Sequence, residues 1–274
     1  MAIDINAIRG RLNKLQNTQK KSDALWKPEF GKQTVRIVPY KFNPENPFIE
    51  LYFHYGINNK TYVSPISFDR PDPIYDFAEK LKSLGSKEEW KAGKALEPKL
   101  RTFVPVLVRG KENEGVKFWG FGKTVYQEIL GYIADEDYGD ITDPRSGRDI
   151  TIEYTSAEDS GTSFPVTTIR VKPNATPIME DVAKVKELMQ NQTNITDLYP
   201  ELSYEELQDV LKKYLSGDDE DEAPAQPAVS STLSEVSKPS AKAEVPVKKT
   251  PPTAKTASDM DDVSAGFDDL FGDS

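Results

Sequence analysis

The sequence predicts a mainly β chain with inserted helices, an α+β fold, followed by a long segment without a core of its own. Three observations predict it. Short runs rich in Val, Ile, Phe and Tyr recur between clusters of Pro, Gly, Asn and Asp, the pattern of strands joined by turns. Elsewhere the apolar residues recur at three- and four-residue spacing, the period of a helix face. Near Ser216 the composition changes abruptly to Asp, Glu, Pro, Ala, Ser, Thr and Lys.

From Asp4 to about Thr18, Ile5, Ile8, Leu12 and Leu15 share one helical face while Arg9, Arg11 and Lys14 fall elsewhere. A helix this short is marginal alone, so its stripe needs a partner, either its own core or a neighbouring copy. Strand-like runs follow at Thr34 to Pro39, Ile49 to Gly56 and Tyr62 to Ile66. Asp72-Pro73 then opens a helix with Ile74, Phe77, Ala78 and Leu81 on one face. Further strands read from Arg101 to Arg109 and Val116 to Phe121, before a helix with Val125, Ile129, Tyr132 and Ile133 on one side. Strands from Asp149 to Thr155 and Ser163 to Lys172 and helices over Ile178 to Gln190 and Ser203 to Leu215 complete the folded part. Ser203 and Glu206 have the spacing of a capping box. Five or more strands with one or two inserted helices suit an OB-fold-like, partly open barrel. The expected organisation is a basic amphipathic segment over residues 1–21, a core over 22–215 and a disordered acidic tail over 216–274.

The net charge of −10 hides a polar distribution. From Ser216 onward five Lys face thirteen Asp and Glu, a net of −8, whereas residues 1–41 carry nine Lys and Arg against three acidic residues. The whole-chain charge thus hides a basic end and an acidic end, and residues 1–215 taken together are close to neutral. The chain has no cysteine, which excludes disulfides, thiolate metal sites and cysteine nucleophiles. No run of about 18 apolar residues is present to span a bilayer, and Met1 to Gly10 lacks a signal-peptide core, so a cytoplasmic protein without membrane association is expected.

Catalytic motifs fail on inspection. Gly122-Lys123-Thr124 resembles the end of a P-loop, but Lys117 stands where the phosphate-wrapping glycine is required. Asp135 and Asp137 hint at a calcium loop, but Asp140 replaces its turn glycine. No carboxylate pair is singled out by a nucleophile or base, so no enzyme is expected.

The positive signal is basic and aromatic interleaving, which single-strand binding requires: cations to track phosphates and flat rings to stack bases. Period-two alternation puts Lys117, Trp119, Phe121 and Lys123 on one strand face, with Val116 and Phe118 on the other. Val104, Val106 and Val108 alternate as an inward face, which turns Arg101, Phe103 and Arg109 the other way, beside Lys99. Arg36 alternates with Val35 and Ile37. Tyr55, Tyr62 and Phe164 complete the candidate DNA-binding set. The competing reading makes Trp119 and Phe121 core residues.

Several segments together resemble the single-stranded DNA-binding (helix-destabilising) proteins of T-even-type bacteriophages. They are Leu25-Trp26-Lys27, Val35-Arg36-Ile37-Val38-Pro39, Pro47-Phe48-Ile49 leading to His54 and Gly56, Asn113-Glu114-Gly115, Phe121-Gly122-Lys123, and the acidic Phe267-Asp268-Asp269-Leu270-Phe271. The resemblance implies an OB-type core gripping single-stranded DNA in phage replication, recombination and repair. It also implies self-association along DNA through the basic N-terminal segment, here Arg9, Arg11 and Lys14. The acidic tail is implied to bind replication and recombination proteins of the polymerase, helicase-loader and recombinase-mediator classes.

Two departures matter. The family's zinc subdomain uses one His and three Cys; His54 matches the His, but the region from Ser64 to Phe77 has no Cys, so no zinc is expected and apolar packing replaces it. The family's N-terminal Lys-Arg-Lys-Ser-Thr cluster is also missing, with Arg9, Arg11, Lys14, Lys20 and Lys21 as basic substitutes. Two other functions fit the same residues: an interaction adaptor acting through its tail, and an RNA-binding regulator.

Overall fold

The computed structural model describes residues 5–217, apart from the side chains of residues 5–7, 10 and 13–18. The expected tail, with Phe267, Asp268, Asp269, Leu270 and Phe271, and the Lys14 side chain lie outside the described residues. In chain order the elements are α1 (Ile5–Ala24), β1 (Leu25–Trp26), β2 (Gly31–Ile37), β3 (Ile49–Ile57), β4 (Lys60–Val63), α2 (Pro73–Ser83), α3 (Lys87–Leu96), β5 (Lys99–Val108), β6 (Lys117–Phe121), α4 (Lys123–Ala134), β7 (Arg148–Thr155), α5 (Ala157–Ser160), β8 (Val166–Ala175), α6 (Val182–Gln190) and α7 (Tyr204–Ser216). Short 3-10 turns lie at Pro65–Phe68, Glu112–Glu114 and Ile195–Leu198. The fold is mixed α+β, in two compact units: residues up to 56, 60–72 and 98–203 form the first, and 57–59, 73–97 and those from 204 form the second.

The first unit is built on an open eight-stranded sheet in the order β1-β6-β5-β2-β7-β8, with β3 also paired to β5 and β4 to β3. β1 runs parallel to β6; the pairs that β5 makes with β2, β3 and β6 are antiparallel, as are β2 with β7 and β7 with β8. β5 is the hub, because Lys99–Phe103 pair with β3, Thr102–Val106 with β6 and Val106–Val108 with β2.

The inward alternation of Val104, Val106 and Val108 is present: all three join Val35, Ile37, Trp119, Ile129, Ile150 and Val171 in the main core. The opposite face is covered as well. Phe103 enters a second cluster with Leu51, Phe53, Phe118 and Leu198, and Leu107 a third with Val38 and Ile178, against α6 residues Val185, Leu188 and Met189. Seven consecutive residues from Thr102 to Val108 are therefore buried, the signature of a strand covered on both faces.

Arg36, expected to face phosphate, is corrected by this covering. Its side chain is fully buried, with Nε donating to Asp149 Oδ1 at 3.0 Å, Nη1 to the Thr176 carbonyl at 2.8 Å and Nη2 to Thr176 Oγ1 at 2.6 Å. Arg109 is corrected with it: Nε and Nη2 reach the same Asp149 oxygen at 3.1 and 2.8 Å, and Nη1 donates to the Ile178 carbonyl. One carboxylate thus holds two guanidinium groups and ties β2 and β7 to the end of β5.

In the second unit Ile57, Ile74, Phe77, Ala78, Leu81, Leu96, Leu207 and Leu211 are buried. α3 was not anticipated from the sequence. It is capped by Ser86 and Glu89, each side chain bonding the other's amide at 3.1 Å. It lies so close to α2 that a Cβ on Gly93 would stand 2.5 Å from the Ala78 carbonyl oxygen. Elsewhere α1 runs six residues past Thr18, and the expected strand from Tyr62 to Ile66 ends at Val63 and turns into the 3-10 segment. Ile8 and Leu12 stay 54% and 51% exposed, so the chain's own core does not bury that part of the stripe.

Removing one partner of a buried ion pair strands the other charge, at a cost of about 3 to 5 kcal/mol. Asp149→Ala is accordingly expected to lose about that much stability in urea denaturation. A loss no larger than that of an exposed substitution such as Glu158→Ala would contradict the role given to Asp149.

Candidate nucleic-acid interface

Four side chains from distant parts of the first unit converge on its second apolar cluster. Tyr199, just after the 3-10 turn at Ile195–Leu198, packs its ring on Phe53 and Phe103, with centroids 5.0 and 5.5 Å apart. Tyr55, near the end of β3, lies 5.9 Å from Phe53. Arg101, near the start of β5, donates from Nη2 to the Gly120 carbonyl at 2.5 Å. Lys21, in the last turn of α1, places Nζ 4.6 Å from the Tyr199 ring centre.

The electrostatics mark these groups as unusual. Burial, reinforced by the neighbouring Tyr55 phenol, raises the Tyr199 pKa from 10.0 to about 12, with Arg101 opposing the shift. Burial also raises Tyr55, again opposed by Arg101. Lys21 is lowered by burial. Among the described residues neither Lys21 nor Arg101 has a carboxylate within ion-pair distance, in contrast to Arg36, Lys82, Lys94, Arg109 and Lys117. A cation held by ring faces and a backbone carbonyl keeps its charge available to an incoming anion. Two such cations beside two phenol rings provide phosphate attraction and a stacking surface together.

Of the residues expected from sequence, this cluster contains Tyr55 and Arg101. Lys99 is exposed two positions before Arg101, on the same face of β5. Lys123 is exposed at the start of α4, Tyr62 and Phe164 are half-buried, and Lys117 is half-buried in an ion pair with Glu114. Among the described residues none of these makes a ring, hydrogen-bond or ion-pair contact with the cluster. Arg9 and Arg11 are exposed on α1.

Trp119, Phe121 and Phe103 are corrected as base-stacking candidates. Trp119 is 1% exposed, edge-on to Trp26 at 6.2 Å and tilted against Phe121 at 4.6 Å; Phe121 and Phe103 are equally buried. Both faces of β6 meet apolar clusters, so alternation along it selects between two cores rather than between core and solvent. Truncating such a ring costs about 3 to 5 kcal/mol in packing, more than the roughly 1 to 3 kcal/mol of a base stack, so these variants report stability. The sequence names Lys21 only as a basic substitute in the N-terminal segment and does not single out Tyr199; only the fold brings the two together.

The position matching the family's zinc histidine has a different chemistry. His54 Nε2 lies 2.8 Å from Asp72 Oδ2, and Ser64 Oγ donates to that same oxygen, with all three residues buried. This donor set does not fit a tetrahedral zinc site, which needs four N or S ligands. The chain has no thiolate, and no group of three or more His, Cys, Asp or Glu side chains among the described residues is placed to hold a metal. A buried polar cluster, rather than apolar packing alone, stands there, which corrects that expectation. It is no nucleophilic triad either, since the carboxylate sits between the hydroxyl and the imidazole.

The first unit thus joins an open sheet to a surface that carries two cations and two tyrosines, and its single imidazole is buried against a carboxylate. The family model described as gp32 DNA binding protein like matches residues 29–215, more than half of the chain. The chain belongs to that family of single-stranded DNA-binding, non-enzymatic proteins. A search of the curated proteins finds no match.

Two outcomes follow from this geometry. Because the Tyr199 phenol is raised in the folded chain, the unfolded chain releases its proton first: the associated stability is full below pH 10 and is lost as pH rises through about 12. Tyr199→Phe is expected to flatten that alkaline loss in denaturation curves; an unchanged curve would place the phenol in solvent. Chelator treatment of the purified chain is expected to leave its melting temperature unchanged, and a fall would show a metal-dependent fold.

Proposed function

We propose that the protein binds single-stranded DNA, largely without regard to sequence, through the surface carrying Lys21, Tyr55, Arg101 and Tyr199, with Lys99 extending its cationic track. The observation that carries this reading is the pair of cations without carboxylate partners beside half-buried phenol rings, in a chain of a DNA-binding family. Phosphates meet Lys21, Arg101 and Lys99, and unstacked bases lie against the tyrosines. Its work is the coating of exposed strands in phage replication, recombination and repair, in the host cytoplasm. An OB-type core suits that task, although the strand order alone describes an open sheet.

Coating is cooperative if copies touch along the strand. The half-exposed Ile8 and Leu12, bordered by Arg9 and Arg11, form a surface on α1 for a neighbouring copy. The acidic segment with Phe267, Leu270 and Phe271 serves as an arm for replication and recombination proteins, its apolar residues spaced for a helix that forms on binding.

The salt dependence of binding to oligo(dT) tests the site. Each cation that meets a phosphate contributes about −0.7 to the slope of log affinity against log salt. Lys21→Ala and Arg101→Ala are each expected to flatten the slope by about that amount, while Tyr55→Ala weakens binding by roughly 1 to 3 kcal/mol with little change of slope. Unchanged slopes in both cation variants would remove this surface from the DNA path. Deleting residues 1–21 would lower affinity for long strands more than for short ones if α1 joins copies, although part of any short-strand loss then reflects Lys21.

A further inference from the structure

The turn that leaves β2 carries a ring-and-cation pair that the surface described above does not include. Asn43 donates its amide to the Tyr40 carbonyl at 3.2 Å, which closes a tight turn and puts Lys41 and Phe42 at its two central positions. Both side chains are exposed, Phe42 to 51%. Lys41 Nζ stands 5.4 Å from the Phe42 ring centre and donates to the Gln190 carbonyl at 2.8 Å, which leaves two of its three donors for other partners. Lys21 at Tyr199 and Arg101 at Gly120 are held in the same manner, by a ring face or a backbone carbonyl, with no carboxylate within ion-pair distance among the described residues. The other cation–ring contacts among the described residues differ. Arg70, over Phe68, pairs with Glu201, and Arg148, over Tyr138, spends its donors on the carbonyls of Asp137, Tyr138 and Pro173.

The turn is fixed to the same apolar cluster that carries the tyrosines. Tyr40 is buried in that cluster, edge-on to Phe118 at 5.7 Å, and its ring meets the Phe42 ring at 5.4 Å. Its hydroxyl donates to Asn194 Oδ1 at 2.9 Å and accepts from the Ile195 amide at 3.2 Å. Buried Gln192 completes the clasp: its Oε1 accepts from the Lys41 amide and its Nε2 donates to the Pro39 carbonyl, both at 2.8 Å. The segment held in this way runs from Asn194 through the 3-10 turn at Ile195–Leu198 to Tyr199, about 10 Å of chain at roughly 2 Å per residue. A ring held open to water with a cation over its face suits an anionic polymer that has flat faces of its own. We propose that Phe42 and Lys41 form a further contact on the single strand, adjoining the surface of Lys21, Tyr55, Arg101 and Tyr199, with a base against the Phe42 ring and a phosphate at Lys41 Nζ. This rests on the reading that the strand lies over Tyr55 and Tyr199. Single-strand sites of this kind span roughly 4 to 16 nucleotides, so one strand reaches both ring-and-cation pairs.

The affinity of the full-length chain for oligo(dT) tests the contact. Phe42→Ala and Phe42→Leu are each expected to weaken binding about tenfold, the size of one base stack, while Phe42→Tyr keeps the parent affinity. Lys41→Gln is expected to flatten the slope of log affinity against log salt by about 0.7. The leucine variant preserves the apolar contact with Tyr40, so a loss there reports the missing ring face and not a loosened turn. Parent-like binding by Phe42→Leu would overturn the proposal. So would a loss seen on long strands but not on a single-site oligonucleotide, which assigns the ring to a neighbouring copy. Tyr55→Ala, assayed in parallel, separates the two readings. If it loses affinity while the Phe42 variants do not, the turn contact falls and the tyrosine surface stands; if the Phe42 variants alone lose affinity, the turn contact stands and the tyrosine surface falls.

Discussion

The structure depends on β5 being buried on both faces while it bonds to three strands. A strand in that position has no solvent side: the alternation that sends Val104, Val106 and Val108 into one core sends Phe103 and Leu107 into two others. Burying each such side chain stabilises the fold by roughly 1.5 to 3 kcal/mol, so the hub is where the favourable energy is concentrated. The cover thins toward the start of the strand, where Lys99 is exposed and Arg101 half-buried. The residues proposed to face DNA, Lys99 and Arg101, lie at that end, while the aromatic residues of β6 serve packing.

The same division governs the charges. Arg36 and Arg109 lie where water is largely excluded and share Asp149, whose carboxylate oxygen accepts three guanidinium hydrogen bonds. Leaving either guanidinium without that partner would strand a positive charge in a low dielectric. Lys21 and Arg101 sit at the margin of the second cluster beside phenols and have no carboxylate partner among the described residues, so these do not cancel their positive potential locally. Cations of the first kind hold the molecule together, and those of the second kind are available to an anion.

Sequence periodicity located most strands and helices, because alternation and turn residues are local properties. It also identified the correct inward face of β5. It went astray where the meaning of a face depends on distant elements: alternation at Lys117, Trp119 and Phe121 cannot tell a sheet with one covered side from a sheet with two. Sequence alone puts Arg36 in the DNA-binding set because its true partners stand 113 and 140 residues away. Tyr199 and Lys21 meet across almost the whole folded chain, so no spacing rule connects them. α3 escaped because its buried face consists of Gly93 and Leu96, too little apolar material for a period to show, although its capping pair Ser86 and Glu89 was legible. The absence of cysteine is legible at once, but the Ser64–Asp72–His54 cluster required coordinates.

The central claim is that single-stranded DNA lies on the tyrosine–cation surface of the first unit. Photocross-linking of the full-length chain to oligo(dT), followed by mapping of the modified peptides, tests it most directly. The account predicts cross-links at Tyr55 and Tyr199, lost together when Arg101 is replaced by Ala. Cross-links confined to Phe30, Phe42, Trp90 or Tyr214, the exposed rings outside this surface among the described residues, would contradict it.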